Sequence, residues 1–268
     1  IEDGLTNIGN NAFDGCISLQ EIVIPKNVKV VSGRAFMNCS KLRKLSFESG
    51  LQSIDYEAFQ NCIGLTDVVL PNTVTNLCVA AFRSCSNLVS VALSSNLERI
   101  EGGAFQYCVS LKEMAIPSSV KFIGGTTFSR CRSLEKIVLP RNLDYIGSQT
   151  FLMCSSLKEI NIPDSVRFIG EGAFNGCRLI TSLKLPSKLE YIGDDAFSYM
   201  VKLDSLVIPD GVRYIGSRAF SDCENLNSVK LGNKIREIGE GAFGGCKSLS
   251  TLQIPESVVR IGCDAFWD

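Results

Sequence analysis

The 268-residue chain contains no histidine. That removes Ser-His-Asp and Cys-His nucleophilic arrangements and any His-ligated zinc. Long apolar runs are also missing. Val68-Val69-Leu70 is typical of what remains, so no direct membrane insertion is expected. Charge of one sign is scarce, with 27 basic against 28 acidic residues and neither half polarised, which argues against a nucleic-acid partner. Gly102-Gly103 and Gly244-Gly245 are not followed by Gly-Lys-Ser/Thr, so they read as turns and not as a phosphate-binding loop. No Cys-x-x-Cys pair offers a metal site. Adjacent carboxylates occur at Asp194-Asp195 and at Glu2-Asp3, and surface turn chemistry accounts for them better than acid–base catalysis. The reading is of a chain with no catalytic residue, no cofactor and no metal.

What is abundant is order. Phenylalanine returns every 23 residues, at 13, 36, 59, 82, 105, 128, 151, 174, 197, 220, 243 and 266. A fixed period of this length marks a solenoid whose units bury their apolar faces only by stacking. The period runs unbroken through residues 1–268, with no Ser/Gly/Pro-rich linker, so one domain is expected. The chain opens at Ile1 inside a unit and closes at Trp267-Asp268 without a visible polar cap, which reads as a piece of a longer protein.

Each unit carries two strand signals. In Leu157-Lys158-Glu159-Ile160-Asn161-Ile162-Pro163 the apolar residues alternate, and the proline ends the strand because it cannot donate to a ladder. A second short run follows, as in Val166-Arg167-Phe168-Ile169-Gly170. The stretch Glu171-Gly172-Ala173-Phe174 is too short for a full helix and predicts a helical or 3₁₀ turn. The unit C-x-x-L-x-x-I-x-I-P-x-x-V-x-x-I-G-x-x-A-F, present whole from Cys154 to Phe174, resembles the BspA-like (Treponema pallidum type) leucine-rich repeats. The resemblance implies a leucine-rich-repeat solenoid of about twelve repeats in a curved right-handed superhelix. It implies a cell-surface or secreted protein, and a non-enzymatic role in binding a protein or glycan, with adhesion to host or matrix as one form. Its consensus positions are core positions, so ligand choice falls to the variable ones. A rigid spacer presenting another domain is the second reading.

Ten of the twelve cysteines stand three residues after the phenylalanine, with Met200 in the same position of one unit. A buried column of thiols is expected, since parallel stacking holds neighbouring Cβ atoms farther apart than a disulfide prefers. Glycine occupies the position four before the phenylalanine from Gly124 onward, whereas Ser32, Asp55, Cys78 and Glu101 stand there earlier. A left-handed turn in the later units, avoided or strained in the earlier ones, is the expectation.

Two surfaces are candidates for binding. Six residues before the phenylalanine, successive units hold Phe122, Tyr145, Phe168, Tyr191 and Tyr214, where other units hold residues such as Arg99 and Glu237. A position that accepts Arg and Glu faces solvent, so these five form an outward aromatic ladder. It serves either as a contact patch or as cross-strand stabilisation. The outward positions of the first strand row carry no aromatic, and Arg43 is their one residue of a hot-spot type. Lys112, Glu135 and Lys158, each beside a residue of opposite charge, suggest a self-paired, solvated face. Self-association through exposed solenoid ends or through the ladder is a further expected partner interaction.

Overall fold

The computed structural model describes residues 4–267, so the Glu2-Asp3 pair lies outside it. It divides into two compact units at Pro140/Arg141. Each is a parallel β-solenoid with one 23-residue coil per repeat.

In the first unit the second strand row is a parallel ladder of two-residue strands: Val30–Val31, Ser53–Ile54, Asn76–Leu77, Arg99–Ile100 and Phe122–Ile123. The first row holds longer strands, with Glu21–Ile24 beside Lys44–Phe47, Asp67–Val69 beside Ser90–Ala92, and Glu113–Ala115 beside Lys136–Val138. In the second unit the second row runs through Tyr145–Ile146, Phe168–Ile169, Tyr191–Ile192, Tyr214–Ile215, Glu237–Ile238 and Arg260–Ile261. Register never slips, because every partner lies 23 residues away. A slip of one residue would turn the apolar set outward.

The phenylalanines fill the centre of each coil. In the first unit Phe13 to Phe128 stack with ring centroids 4.9–5.8 Å apart. In the second, Phe151 to Phe266 stack at 5.2–5.6 Å. Phe36 and Phe197 are among the rings fully buried there.

The turn around each phenylalanine is not the helical or 3₁₀ turn that its length suggests, and among the described residues there is no helix. Instead the backbone alternates between right- and left-handed conformations. The residues two before and two after the phenylalanine have positive φ, as at Arg34 (59°) and Asn38 (61°), or Asp195 (53°) and Tyr199 (59°). The alternation aims every second N–H along the stack. Arg34, Phe36 and Asn38 donate to the carbonyls of Tyr56, Ala58 and Gln60 at 2.8–2.9 Å. Asp195, Phe197 and Tyr199 donate to Ser217, Ala219 and Ser221 at 2.8 Å. A helix would spend those groups within its own turn.

The conserved-looking glycine four before the phenylalanine has a different cause from the one its spacing suggests. None of Gly124, Gly170, Gly193, Gly216, Gly239 or Gly262 has positive φ. A Cβ at Gly216 would lie 2.4 Å from the carbonyl carbon of Gly193, and one at Gly124 would lie 2.4 Å from the nitrogen of Gly102. Glycine is there because two backbones approach closely. Nor do Ser32, Asp55, Cys78 and Glu101 show positive φ in the earlier coils. Nothing in the structure explains why those coils accept a side chain there.

The cysteine column is buried, with Cys62, Cys85, Cys108, Cys131 and Cys177 among its fully covered members, and among the described residues no cysteine is in a disulfide. The thiols of Cys39, Cys62, Cys85, Cys108, Cys131, Cys177, Cys223 and Cys246 donate to the phenylalanine carbonyl of the preceding coil. Cys62 reaches Phe36 O at 3.1 Å and Cys177 reaches Phe151 O at 3.3 Å. Burial pushes these thiols up, to about 11 at Cys39 and about 12 at Cys131 and Cys177. Thr127 and Thr150, which replace the alanine before the phenylalanine, return their hydroxyls to Gly124 O (2.6 Å) and Gly147 O (2.8 Å).

Two measurements check this geometry. Thr126 is β-branched at φ 58°, so Thr126→Gly should stabilise by roughly 1 kcal/mol. Gly216→Ala, at an ordinary φ, should destabilise by about 1–3 kcal/mol through overpacking. Denaturant melts that gave both changes the same sign would contradict the assignment. The second check is alkaline. Unfolded thiols lose protons above about 8.5, while Cys131 and Cys177 hold theirs until about 12. Stability from these groups is therefore full below pH 8.5 and falls as pH rises through the folded values. Each such thiol should remove about 1.4 kcal/mol per pH unit in that window, to be read as the difference between melts at pH 7 and pH 10.

Candidate functional site

The ladder position faces outward because the strand at that corner is only two residues long. The second of the pair, such as Ile169 or Ile192, points into the core, and the first is left outside. The residue before the pair also faces out. In the second unit this sets two outward rows side by side: Tyr145, Phe168, Tyr191 and Tyr214 in one, Asp144, Arg167, Glu190 and Arg213 in the other.

The aromatic row is half solvent-facing. Phe168 is 44% exposed and Tyr191 38%, while Tyr145 and Tyr214 are partly covered. The rings of Tyr191 and Tyr214 stack at 5.0 Å and 11°. Each thus covers one face of the other. Burial pushes both phenols up, with the charge of Asp194 adding to it. The Arg167 guanidinium lies 5.4 Å from the Phe168 ring and pairs with Glu190 at 2.7 Å. Beyond Tyr214 the row ends in an ion pair between Glu237 and Arg260 at 3.1 Å. In the first unit Phe122 stands at the same position, partly covered, with the Arg99 guanidinium 4.2 Å from its ring. That guanidinium also meets Glu101 at 2.8 Å.

Asp194 and Asp195 have separate structural partners. Asp194 accepts the Ser217 N–H at 2.8 Å, and Asp195 pairs with Arg218 at 3.1 Å. Neither is poised toward the other's work.

A model of the BspA-type leucine-rich repeat region matches residues 6–135, 78–203 and 190–268. The chain belongs to the BspA-type leucine-rich repeat family. No curated protein matches it. Among solved structures, a leucine-rich repeat protein from Bacteroides ovatus shares 27% identity over 98% of this chain and 80% of its own, with a TM-score of 0.77. A leucine-rich cell-surface protein from Faecalibacterium prausnitzii shares 29% identity over 99% of this chain and 68% of its own, at TM-score 0.60. The pneumococcal vaccine antigen PcpA, at 24% identity over 96% of this chain and 66% of its own, is similar in fold with a TM-score of 0.56.

Within this BspA-type chain the other anticipated residues, Arg43, Lys112, Glu135 and Lys158, are all exposed on the first strand row. Arg43, Lys112 and Glu135 lie in the first unit and Lys158 in the second. The first row does carry something that a search for aromatics passes over. Ten residues after the phenylalanine, Val69 (66% exposed), Ala92, Ala115 and Val138 (50% exposed) make an outward aliphatic stripe in the first unit. Its signal was visible, since four consecutive units place Val or Ala where a solvated face needs a polar residue. The second addition is a hollow of about 450 Å³ in the second unit, lined by Arg213, Asn233, Lys234, Arg236 and Ser257. Its three cations sit seven or nine residues before a phenylalanine, positions that the repeat leaves variable.

Proposed function

We propose that this BspA-type chain is a non-enzymatic recognition domain of a cell-surface or secreted protein, binding a protein or glycan along its second strand row. The outward aromatic row of the second unit carries the reading. The coil tolerates Asn, Ser, Arg or Glu at that position, as in Ser53, Asn76, Arg99 and Glu237, so nothing in the packing demands Tyr or Phe there. Exposed aromatic surface of this kind marks contact sites. A relative described as a cell-surface protein supports the location. Phe122 extends the proposed contact in the first unit, and the first-row residues Arg43, Lys112, Glu135 and Lys158 are its secondary surface.

The stacking of Tyr191 on Tyr214 favours a second reading, in which the row only steadies the sheet by about 0.2–1 kcal/mol per pair. The two are separated by the triple replacement of Tyr145, Phe168 and Tyr191 with Ser, assayed against immobilised matrix proteins and polysaccharides alongside thermal melts. Recognition predicts binding lost with the melting temperature changed by only a few degrees. Binding retained with a lowered melting temperature would leave the row structural and the chain a spacer.

A further inference from the structure

Resting on the recognition reading above and narrowing its ligand, we propose that the second unit binds an acidic polysaccharide. Its carboxylates or sulfates are taken by Arg213, Lys234 and Arg236, and its sugars lie along the edges of Tyr191 and Tyr214.

The hollow beside the ladder is lined by three cations and by no acidic residue. The Arg236 N–H donates to the Arg213 carbonyl at 2.9 Å, so the two side chains leave neighbouring coils in register. Like charges in register repel. Elsewhere on this surface the coils pair such charges, as in Arg167 with Glu190 and Arg260 with Glu237. Arg213, Lys234 and Arg236 make no ion pair among the described residues. Of the nearby acids, Glu190 and Glu237 are held in those pairs, while Asp210 accepts the Asn233 N–H at 3.0 Å and keeps its charge, as does Glu256 beside Ser257. The Ser257 hydroxyl, on the wall of the same hollow, is covered and has no hydrogen-bond partner among the described residues. An anion in the hollow would meet three cations, and would turn repulsion into attraction.

The ladder offers matching chemistry. Arg213 precedes Tyr214 in the chain, and the equivalent Arg167 lies against Phe168, so hollow and ladder adjoin. The stacked tyrosines present ring edges, which carry the positive side of the quadrupole. Neither phenol hydroxyl of Tyr191 or Tyr214 has a hydrogen-bond partner among the described residues. This is a surface of donors that suits a ligand rich in oxygen acceptors. Spacing argues for a glycan over an acidic peptide. Same-side residues of an extended peptide recur at about 6.8 Å, whereas the rings recur at 5.0 Å. A polysaccharide advances by one sugar ring per step, closer to one coil.

The test is calorimetric titration of the full chain with dextran sulfate, polygalacturonate, neutral dextran and polyglutamate. Binding of dextran sulfate or polygalacturonate is expected, and which of them binds tells sulfate from carboxylate. Neutral dextran and polyglutamate should not bind. R213Q/R236Q should weaken the acidic polysaccharide at least about tenfold, with an unchanged melting temperature because both residues are exposed. K202Q, at an exposed lysine of the same unit outside the hollow and the ladder, should change nothing. The inference is overturned if neither acidic polysaccharide binds, if polyglutamate binds as tightly, or if R213Q/R236Q binds like the parent. If the ladder triple variant loses a protein ligand while R213Q/R236Q is unaffected, the acidic-glycan assignment fails and the recognition reading stands.

Discussion

The structure depends on two residues per coil held in the left-handed backbone region. Placing them two before and two after the central phenylalanine turns alternate N–H groups along the stack axis, so the third side of each coil is hydrogen-bonded to its neighbour although it contains no strand. Only six of these positions are glycine, at 15, 103, 172, 176, 241 and 245. The remainder carry side chains at a cost of about 1 kcal/mol or more each. An isolated coil could not sustain that strain. Stacked coils can, because each strained residue delivers a hydrogen bond and each bond holds the next phenylalanine over the last.

Other recurring letters follow from that arrangement. Once the turn carbonyls face along the axis, the phenylalanine carbonyl has spare acceptor capacity inside the core. Phe36 O takes the N–H of Cys39 and the thiol of Cys62. Valine at the cysteine position would fill the same volume and offer no donor. Where Met200 replaces cysteine, the carbonyl of Phe174 keeps its local bond from the Cys177 N–H and no thiol reaches it. The close approach of coils at the glycine position has the same origin, since neighbouring backbones are drawn together at the corner where strand gives way to turn.

The period, the strand rows, the buried faces and the outward aromatic row were all legible in the sequence, because each is written as an identity repeated at one spacing. The left-handed turn was not. Arg34, Glu57, Thr126 and Met153 share no property that announces positive φ, and glycine, the usual signal, is concentrated at a position that needs closeness and not handedness. The cationic hollow was illegible for another reason. Arg213, Lys234 and Arg236 look balanced in the chain by Glu190, Asp210 and Glu237, and only coordinates show that Glu190 and Glu237 are paired with other arginines.

These features also bear on how such a surface recognises anything. The rows are built on backbone hydrogen-bonded on successive sides of the coil, so little ordering entropy is lost when a ligand settles. Each position contributes modestly, since an exposed ring edge or a single guanidinium is a weak site alone. Repetition at a fixed interval changes that. A polymer whose own repeat matches the coil meets a second site at high effective concentration once the first is filled, and affinity grows with the number of coils engaged. A ligand without a commensurate repeat gains nothing from the second coil. On the proposed recognition reading, selectivity resides in the spacing of the solenoid itself, and the variable side chains decide which chemistry that spacing is offered to.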